Sequence, residues 1–228
     1  MSIKDMLSTF LVRHSDDIIP KNYIVLDLDS TLVHTFDTPE LLAQYAESVK
    51  KTPSITNSTY KIAKDGELIV GVRRPFVREF LSFCDVNFEG VCVWSAGAKY
   101  YVEEIVRDLF DGHNIKKPIL VYSRPDCVVD KDGYYFKPLT KMIKEPILKG
   151  KMTLENTVFV DDNITTLKKN MDNGILIPPY KINSAKLKDV DAGDPALYLL
   201  IWYFLSDEFR ETTDVRDIEK PSLKLETI

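Results

Sequence analysis

The chain is poor in the residues that hold soft metals or staple small domains. Cysteine occurs three times, at Cys84, Cys92 and Cys127, with no Cys-x-x-Cys pair. That excludes a disulfide framework and a thiolate zinc cluster, and it leaves reduced thiols as the expectation. Histidine also occurs three times, and His14, His34 and His113 have no ligand spacing. No run of about 18 apolar residues is present, so no membrane span is expected. The short apolar stretch at 6–12 is interrupted by Arg13 and His14 and lacks the pattern of a secretory signal, so an intracellular protein is expected. A basic excess is missing too. Thirty Lys and Arg against 35 Asp and Glu give a formal net charge of −5, which argues against direct nucleic-acid binding. What remains is 228 residues, 44% of them hydrophobic, enough to bury a sizeable core.

Short Val- and Ile-rich runs at 23–28, 90–94, 119–122, 157–160 and 175–177 read as strands covered on both faces. Helical periodicity lies between them. Pro75 suits a first helical position ahead of Phe76, Val77, Phe80, Leu81 and Cys84. Tyr101, Val102, Ile105, Val106 and Leu109 mark a second helix, with Glu103 and Arg107 as an i, i+4 pair. Leu197, Leu200, Ile201, Phe204 and Leu205 mark a third. The alternation predicts an α/β fold with a mainly parallel sheet. Asp65-Gly66 between apolar runs predicts a β-hairpin inside an insertion at 35–72, and residues 127–136 repeat the device around Asp132-Gly133. The organisation expected is a helical extension at 1–20, one domain at 21–210 that carries the insertion without a full cap, and a tail at 211–228.

Ligands of open α/β sheets bind outside the carboxyl ends of the strands. Three strand exits here carry polar chemistry: Asp27 and Asp29 with Thr31, then Ser95, then Asp161 and Asp162. Residues i and i+2 of an extended segment point the same way, so Asp27 and Asp29 can share a pocket. Each feature alone has an ordinary explanation as a turn or a cap. Their coincidence in chain order suits phosphoryl transfer: one Asp attacks phosphorus, the other handles the proton, and hard oxygen ligands hold Mg²⁺. A lysine is also expected, to neutralise charge on the transferred group, and Lys137 is the candidate.

These residues carry a resemblance. Val25-Leu26-Asp27-Leu28-Asp29-Ser30-Thr31-Leu32-Val33 resembles the signature of haloacid-dehalogenase-type phosphatases. It is closer still to the Fcp/Scp group, NLI-interacting-factor-like enzymes that act on the C-terminal domain of RNA polymerase II. Arg73-Arg74-Pro75, Trp94-Ser95-Ala96-Gly97, Tyr135-Phe136-Lys137-Pro138 and Val160-Asp161-Asp162-Asn163 resemble that group's further motifs. The resemblance implies that Asp27 forms an aspartyl-phosphate and that Asp29 protonates the leaving oxygen and then activates water. It implies that Thr31, Ser95 and Lys137 hold the phosphoryl group. Mg²⁺ would sit on the Asp27 carboxylate, the Asp29 carbonyl and Asp162, with Asp161 orienting its neighbours. Arg124 falls where the group can carry an arginine near the substrate, and Phe36, close to the insertion hairpin, is a further candidate substrate contact.

The chain departs from the pattern at Asp162, often Asn in the group, and at Ala98, where a bulkier apolar residue is usual. Tyr60, Ile62, Val70, Val72 and Phe36 either line an apolar peptide pocket or pack the insertion. The implied partner is a phosphoserine or phosphothreonine protein, met by a monomer without membrane or nucleic-acid contact. The alternatives are a small-metabolite phosphatase and a catalytically weak phosphopeptide-binding module.

Overall fold

A computed structural model of the chain describes residues 21–51, 53–64, 67–111, 115–182 and 194–223. The expected N-terminal helix, His14, His113 and the end of the tail at 224–228 lie outside the described residues. In chain order the elements are β1 (Tyr23–Leu26), β2 (Val33–Thr35), α1 (Pro39–Lys51), β3 (Thr59–Lys64), β4 (Glu67–Arg73), α2 (Val77–Asn87), β5 (Gly90–Trp94), α3 (Lys99–Phe110), β6 (Leu120–Tyr122), β7 (Val128–Val129), β8 (Tyr135–Phe136), α4 (Leu139–Met142), β9 (Thr157–Asp161), α5 (Ile164–Leu167), β10 (Gly174–Leu176), α6 (Ala196–Phe204) and α7 (Asp207–Glu211). No helix among the described residues is long and apolar enough to cross a membrane.

Five strands form one parallel sheet in the order β10-β9-β1-β5-β6. Side chains of a strand alternate between faces, and β1 shows it. Ile24 and Leu26 pack with Phe80, Val102, Ile105, Leu197 and Leu200 on one face, which buries α2, α3 and α6. Tyr23 and Val25 pack with Trp94, Phe159, Leu139 and Met142 on the other. β1 lies at the centre of the sheet, so its exit faces the exits of β5 and β9 on either side.

The insertion is an antiparallel sheet in the order β2-β4-β3, with α1 laid against it. The sequence reading does not anticipate α1. Its apolar stripe is thin, Leu41, Leu42, Tyr45 and Val49, and only Tyr45 is fully buried. Two local expectations are also corrected. Helix α2 starts at Val77 rather than Pro75, because Phe76 takes a left-handed conformation (φ 64°) that interrupts any earlier helical turn. Arg107 pairs with Glu104 at i, i+3, while Glu103 lies 3.9 Å from Lys99.

Candidate active site

The loop after β1 is tight because three successive amides, of Thr31, Leu32 and Val33, all donate to the Leu28 carbonyl. Ser30 takes a left-handed φ of 62° to allow it, a conformation costly for a residue other than glycine. Arg74, almost fully buried, pins the loop from below. Its guanidinium donates to the Thr31 carbonyl at 3.0 Å and to the Pro178 carbonyl at 2.9 Å, and it is charge-paired with Asp194 at 3.0 Å. The result turns Asp27, Asp29 and Thr31 toward one edge of the sheet.

Asp27 is 4% exposed. The Lys137 ammonium donates to its Oδ1 at 2.5 Å, and the Thr31 hydroxyl donates to its Oδ2 at 2.9 Å. Lys137 also donates to Asp161 Oδ2 at 2.8 Å, and Asp161 Oδ1 accepts the Asn163 amide at 2.8 Å. Burial pushes Asp27 well above the ordinary carboxylate range. Lys137 pulls it down, Asp161 and Asp29 push it further up, and burial wins. Burial would lower the Lys137 pKa, but its two carboxylate partners outweigh that and raise it, so it stays a cation.

Asp29, two residues on and half-buried, has a different shell. Its Oδ1 accepts from the Tyr101 phenol, and its Oδ2 lies 3.4 Å from the Ser95 hydroxyl. Ser95 Oγ in turn accepts the Gly97 amide at 3.0 Å. The Thr35 hydroxyl lies 2.6 Å from both the Tyr101 and the Tyr60 phenol oxygens.

The carboxylate oxygens of Asp27, Asp161 and Asp162 lie within 4.8 Å of one another. Burial, then the Asp161 charge, raises Asp162 to about 6. An all-oxygen donor set of crowded acids whose ionised forms are disfavoured fits a hard divalent cation. The Asp29 carboxylate is not part of that cluster; it is turned toward Tyr101 and Ser95. The Asp161-Asp162 pair does not cap α5, because Asn163 does, accepting the Thr165 amide at 2.9 Å.

The structure therefore gathers Asp27, Asp29, Thr31, Ser95, Lys137, Asp161 and Asp162 at the exits of β1, β5 and β9. Arg124 lies beyond β6 with its side chain exposed. Its Nε donates to the Ala96 carbonyl at 2.7 Å, on the loop that follows Ser95. Phe36 is not presented to a ligand. It is 8% exposed, 5.1 Å from the Tyr45 ring and packed in the cluster of Val70, Val72 and Ile55, so its expected substrate contact gives way to packing of the insertion. Tyr60, Ile62, Val70 and Val72 are buried as well. Sequence reasoning missed Tyr101 and Thr35, and it named Arg74 only as part of a motif. The available signal was Tyr101 itself, a residue with a polar tip on the buried stripe of α3, since a buried phenol finds a partner.

Comparison with known proteins places the chain in a family. The family model described as NLI interacting factor-like phosphatase matches residues 22–216. CTD small phosphatase-like protein 3 of Caenorhabditis elegans is 30% identical over 162 residues, 71% of this chain and 48% of that protein. CTD small phosphatase-like protein 2 of Dictyostelium discoideum is 27% identical over 167 residues, 71% of this chain and 24% of that protein. The chain thus spans between a quarter and a half of these relatives' length. Among solved structures, a variant of fission yeast RNA polymerase II CTD phosphatase Fcp1 bound to beryllium fluoride aligns with a TM-score of 0.55 at 16% identity. It covers 89% of this chain and 53% of that one. A second structure of Fcp1, an essential RNA polymerase II CTD phosphatase, gives 0.55 at 15% identity over 96% of this chain and 63% of that one. At such identities the two establish the fold alone, an α/β domain built on a parallel sheet. The family match is far more extensive, running from just before β1 to beyond α7 and spanning every residue gathered at the sheet edge, and by it the chain belongs to the NLI interacting factor-like phosphatase family.

Proposed function

We propose that the chain is a Mg²⁺-dependent protein phosphatase that removes phosphate from serine or threonine through an aspartyl-phosphate on Asp27. The observation that carries this reading is the division of labour across the β1 exit. Asp27 is buried against a cation and a hydroxyl, while Asp29 is held apart from it by hydroxyls.

In the proposed sequence, a carboxylate oxygen of Asp27 bonds to phosphorus as the bond from phosphorus to the serine oxygen breaks. Asp29 gives its proton to that oxygen, releasing the alcohol. Asp29 then takes a proton from water. The water oxygen bonds to phosphorus, the Asp27–phosphorus bond breaks, and inorganic phosphate leaves. Lys137, Thr31 and Ser95 hold the phosphoryl oxygens, where charge spreads in the transition state. Asp27, Asp162 and the Asp29 carbonyl would hold the cation, with Asp161 kept in place by Lys137. Bound there, a divalent ion supplies positive charge that lets one anion approach another.

RNA polymerase II C-terminal domain phosphopeptides are the substrate reading, supported by the names of the relatives and of the two Fcp1 structures. A short insertion, packed against the main domain through Tyr60 and Ile62 and without a full cap, favours a macromolecular substrate over a metabolite. The test is hydrolysis of an aryl phosphate and of phosphoserine peptides with Mg²⁺, wild type beside Asp27→Asn. Equal turnover by both proteins, or turnover by neither, defeats the proposal.

A further inference from the structure

Three hydroxyls outside the family motifs form a chain that ends on one oxygen of Asp29. Tyr101 comes from α3, Thr35 from the end of β2 and Tyr60 from β3, so two of the three belong to the insertion. Their protons can be counted. Each hydroxyl has one hydrogen to give. Tyr101 spends its own on Asp29 Oδ1. Thr35 Oγ1 lies 2.6 Å from the Tyr101 oxygen and 2.6 Å from the Tyr60 oxygen, whereas its approach to Asp29 Oδ1 is 3.5 Å, too long to compete. The arrangement that uses every proton runs in one direction: Tyr60 donates to Thr35, Thr35 to Tyr101, Tyr101 to Asp29. Chains of this kind strengthen each link.

The phenols are suited to donate and not to ionise. Burial pushes Tyr60 up to about 12, and burial together with the Asp29 charge pushes Tyr101 higher still. Both are buried, at 2% and 8% exposure. The fold also makes room for the chain's far end. A Cβ at Gly71 would stand 2.2 Å from the Tyr60 hydroxyl and 2.5 Å from the His34 carbonyl, so only glycine leaves the phenol where it is.

We infer that Tyr101, backed by Thr35 and Tyr60, is a positioning residue for Asp29, and that this chain of hydroxyls fits the site to phosphate esters of poorly leaving alcohols. The inference rests on the phosphatase reading above and extends it to the class of leaving group. With Oδ1 taken by Tyr101, Oδ2 is the oxygen that carries the transferred proton, and it faces Ser95, on the side where the phosphoryl group would sit. A serine or threonine alkoxide cannot leave without that proton. A nitrophenolate can. An acid held in one orientation is therefore valuable for the first class of ester and nearly idle in the first step of the second.

The test compares kcat/KM on a phosphoserine peptide and on para-nitrophenyl phosphate, with Mg²⁺, for the full chain and for Tyr101→Phe, Thr35→Val and Asp27→Asn. The ratio kcat/KM reports steps up to formation of the phospho-enzyme, so water activation by Asp29 does not blur it. General acid catalysis contributes roughly 10²–10⁴-fold. Tyr101→Phe is expected to lose roughly 30-fold on the peptide and no more than about threefold on the aryl ester, a partial loss of that contribution. Thr35→Val should show the same asymmetry at smaller size, and it decides the matter if Tyr101→Phe does not fold. Equal losses on both substrates, or no loss on either, overturn the positioning role while Asp27→Asn still abolishes turnover. Turnover that survives in Asp27→Asn, or is absent from the wild type, overturns the phosphatase reading and this inference together.

Discussion

Asp27 and Asp29 leave the same strand two residues apart, yet the protein surrounds them with opposite materials. Around Asp27 the shell is ionic: Lys137 follows β8 of the small antiparallel β7-β8 sheet, Asp161 ends β9 of the parallel sheet, and Asp162 stands beside it. Around Asp29 the shell is hydroxylic and comes mostly from the insertion and α3. The difference matches the two tasks that the proposed phosphoryl transfer requires. A nucleophile needs charge balance, so that a buried carboxylate stays available to attack. A proton carrier needs an orientation and one carboxylate oxygen that is not ion-paired. In the proposed mechanism two identical side chains would take different roles because different segments reach them.

The strongest way to break this contrast is to neutralise one carboxylate and leave the other. Asp27→Asn keeps the size of the side chain and should reduce turnover by roughly 10⁴-fold or more, the scale on which removing a nucleophile acts. The measurement is steady-state hydrolysis with Mg²⁺, and the fold should survive, because the amide relieves repulsion from Asp161. Activity within tenfold of wild type would show that Asp27 is not the attacking group.

The ionic shell can be opened from the other side. Lys137→Met removes an ammonium that is 2% exposed and leaves Asp27 and Asp161 facing each other. Breaking a buried pair in this way costs about 3–5 kcal/mol. Denaturant unfolding at neutral pH should show a loss of that order. The loss should shrink under mildly acidic conditions, where the stranded carboxylates can take up protons. A cost below about 1 kcal/mol would mean that Lys137 matters only once a phosphoryl group is present.

The two shells were not equally legible in the sequence. The ionic one could be read because its parts lie at strand exits, and the i, i+2 spacing of Asp27 and Asp29 states their common direction without any knowledge of the fold. Thr31, Ser95 and the Asp161–Asp162 pair follow from the same edge, and Lys137 follows from the need for a cation at the transferred group. The hydroxylic shell is hidden because Tyr101 and Tyr60 look like core residues. Each sits where an aliphatic side chain would satisfy the periodicity, and only the tertiary approach of β3 to α3 reveals that the phenol oxygens meet. Phe36 was misjudged for a linked reason. Helix α1 has too few apolar residues to announce itself, and without Tyr45 in view an aromatic near the site reads as free to touch a substrate.

A smaller perturbation sharpens the hydroxylic side alone. Gly71→Ala places a methyl group against the end of a stiff phenol and a backbone carbonyl, neither of which moves easily. Overpacking of this sort costs typically 1–3 kcal/mol. The same displacement draws Tyr60 away from Thr35, so peptide hydrolysis should weaken more than aryl phosphate hydrolysis, as for Thr35→Val. Equal stability of the variant and the wild type would show that Tyr60 yields without cost and that its oxygen is not held by the chain.

The gentlest probe is pH, and its sign distinguishes the ionic shell from an ordinary salt bridge. Asp27 and Asp162 have folded pKa values above the usual carboxylate value, Asp162 at about 6. Without metal, the folded state keeps protons that the unfolded chain has already released. Stability from these groups therefore falls as pH rises from about 4 through those raised values, the reverse of a carboxylate stabilised by a lysine. Metal binding requires the ionised forms and displaces the same protons, so its contribution grows with pH. At 100 times its dissociation constant Mg²⁺ contributes about 2.7 kcal/mol, which corresponds to a rise of roughly 5–10 °C in the thermal midpoint of a domain of this size. That rise should appear at pH 8 and shrink at pH 6 in thermal melts run with Mg²⁺ and with a chelator. In Asp162→Asn one of the competing protons is gone, and the gap between the two pH values should narrow. A shift of equal size at both pH values would mean that the crowded acids are already ionised and that Lys137 alone balances them.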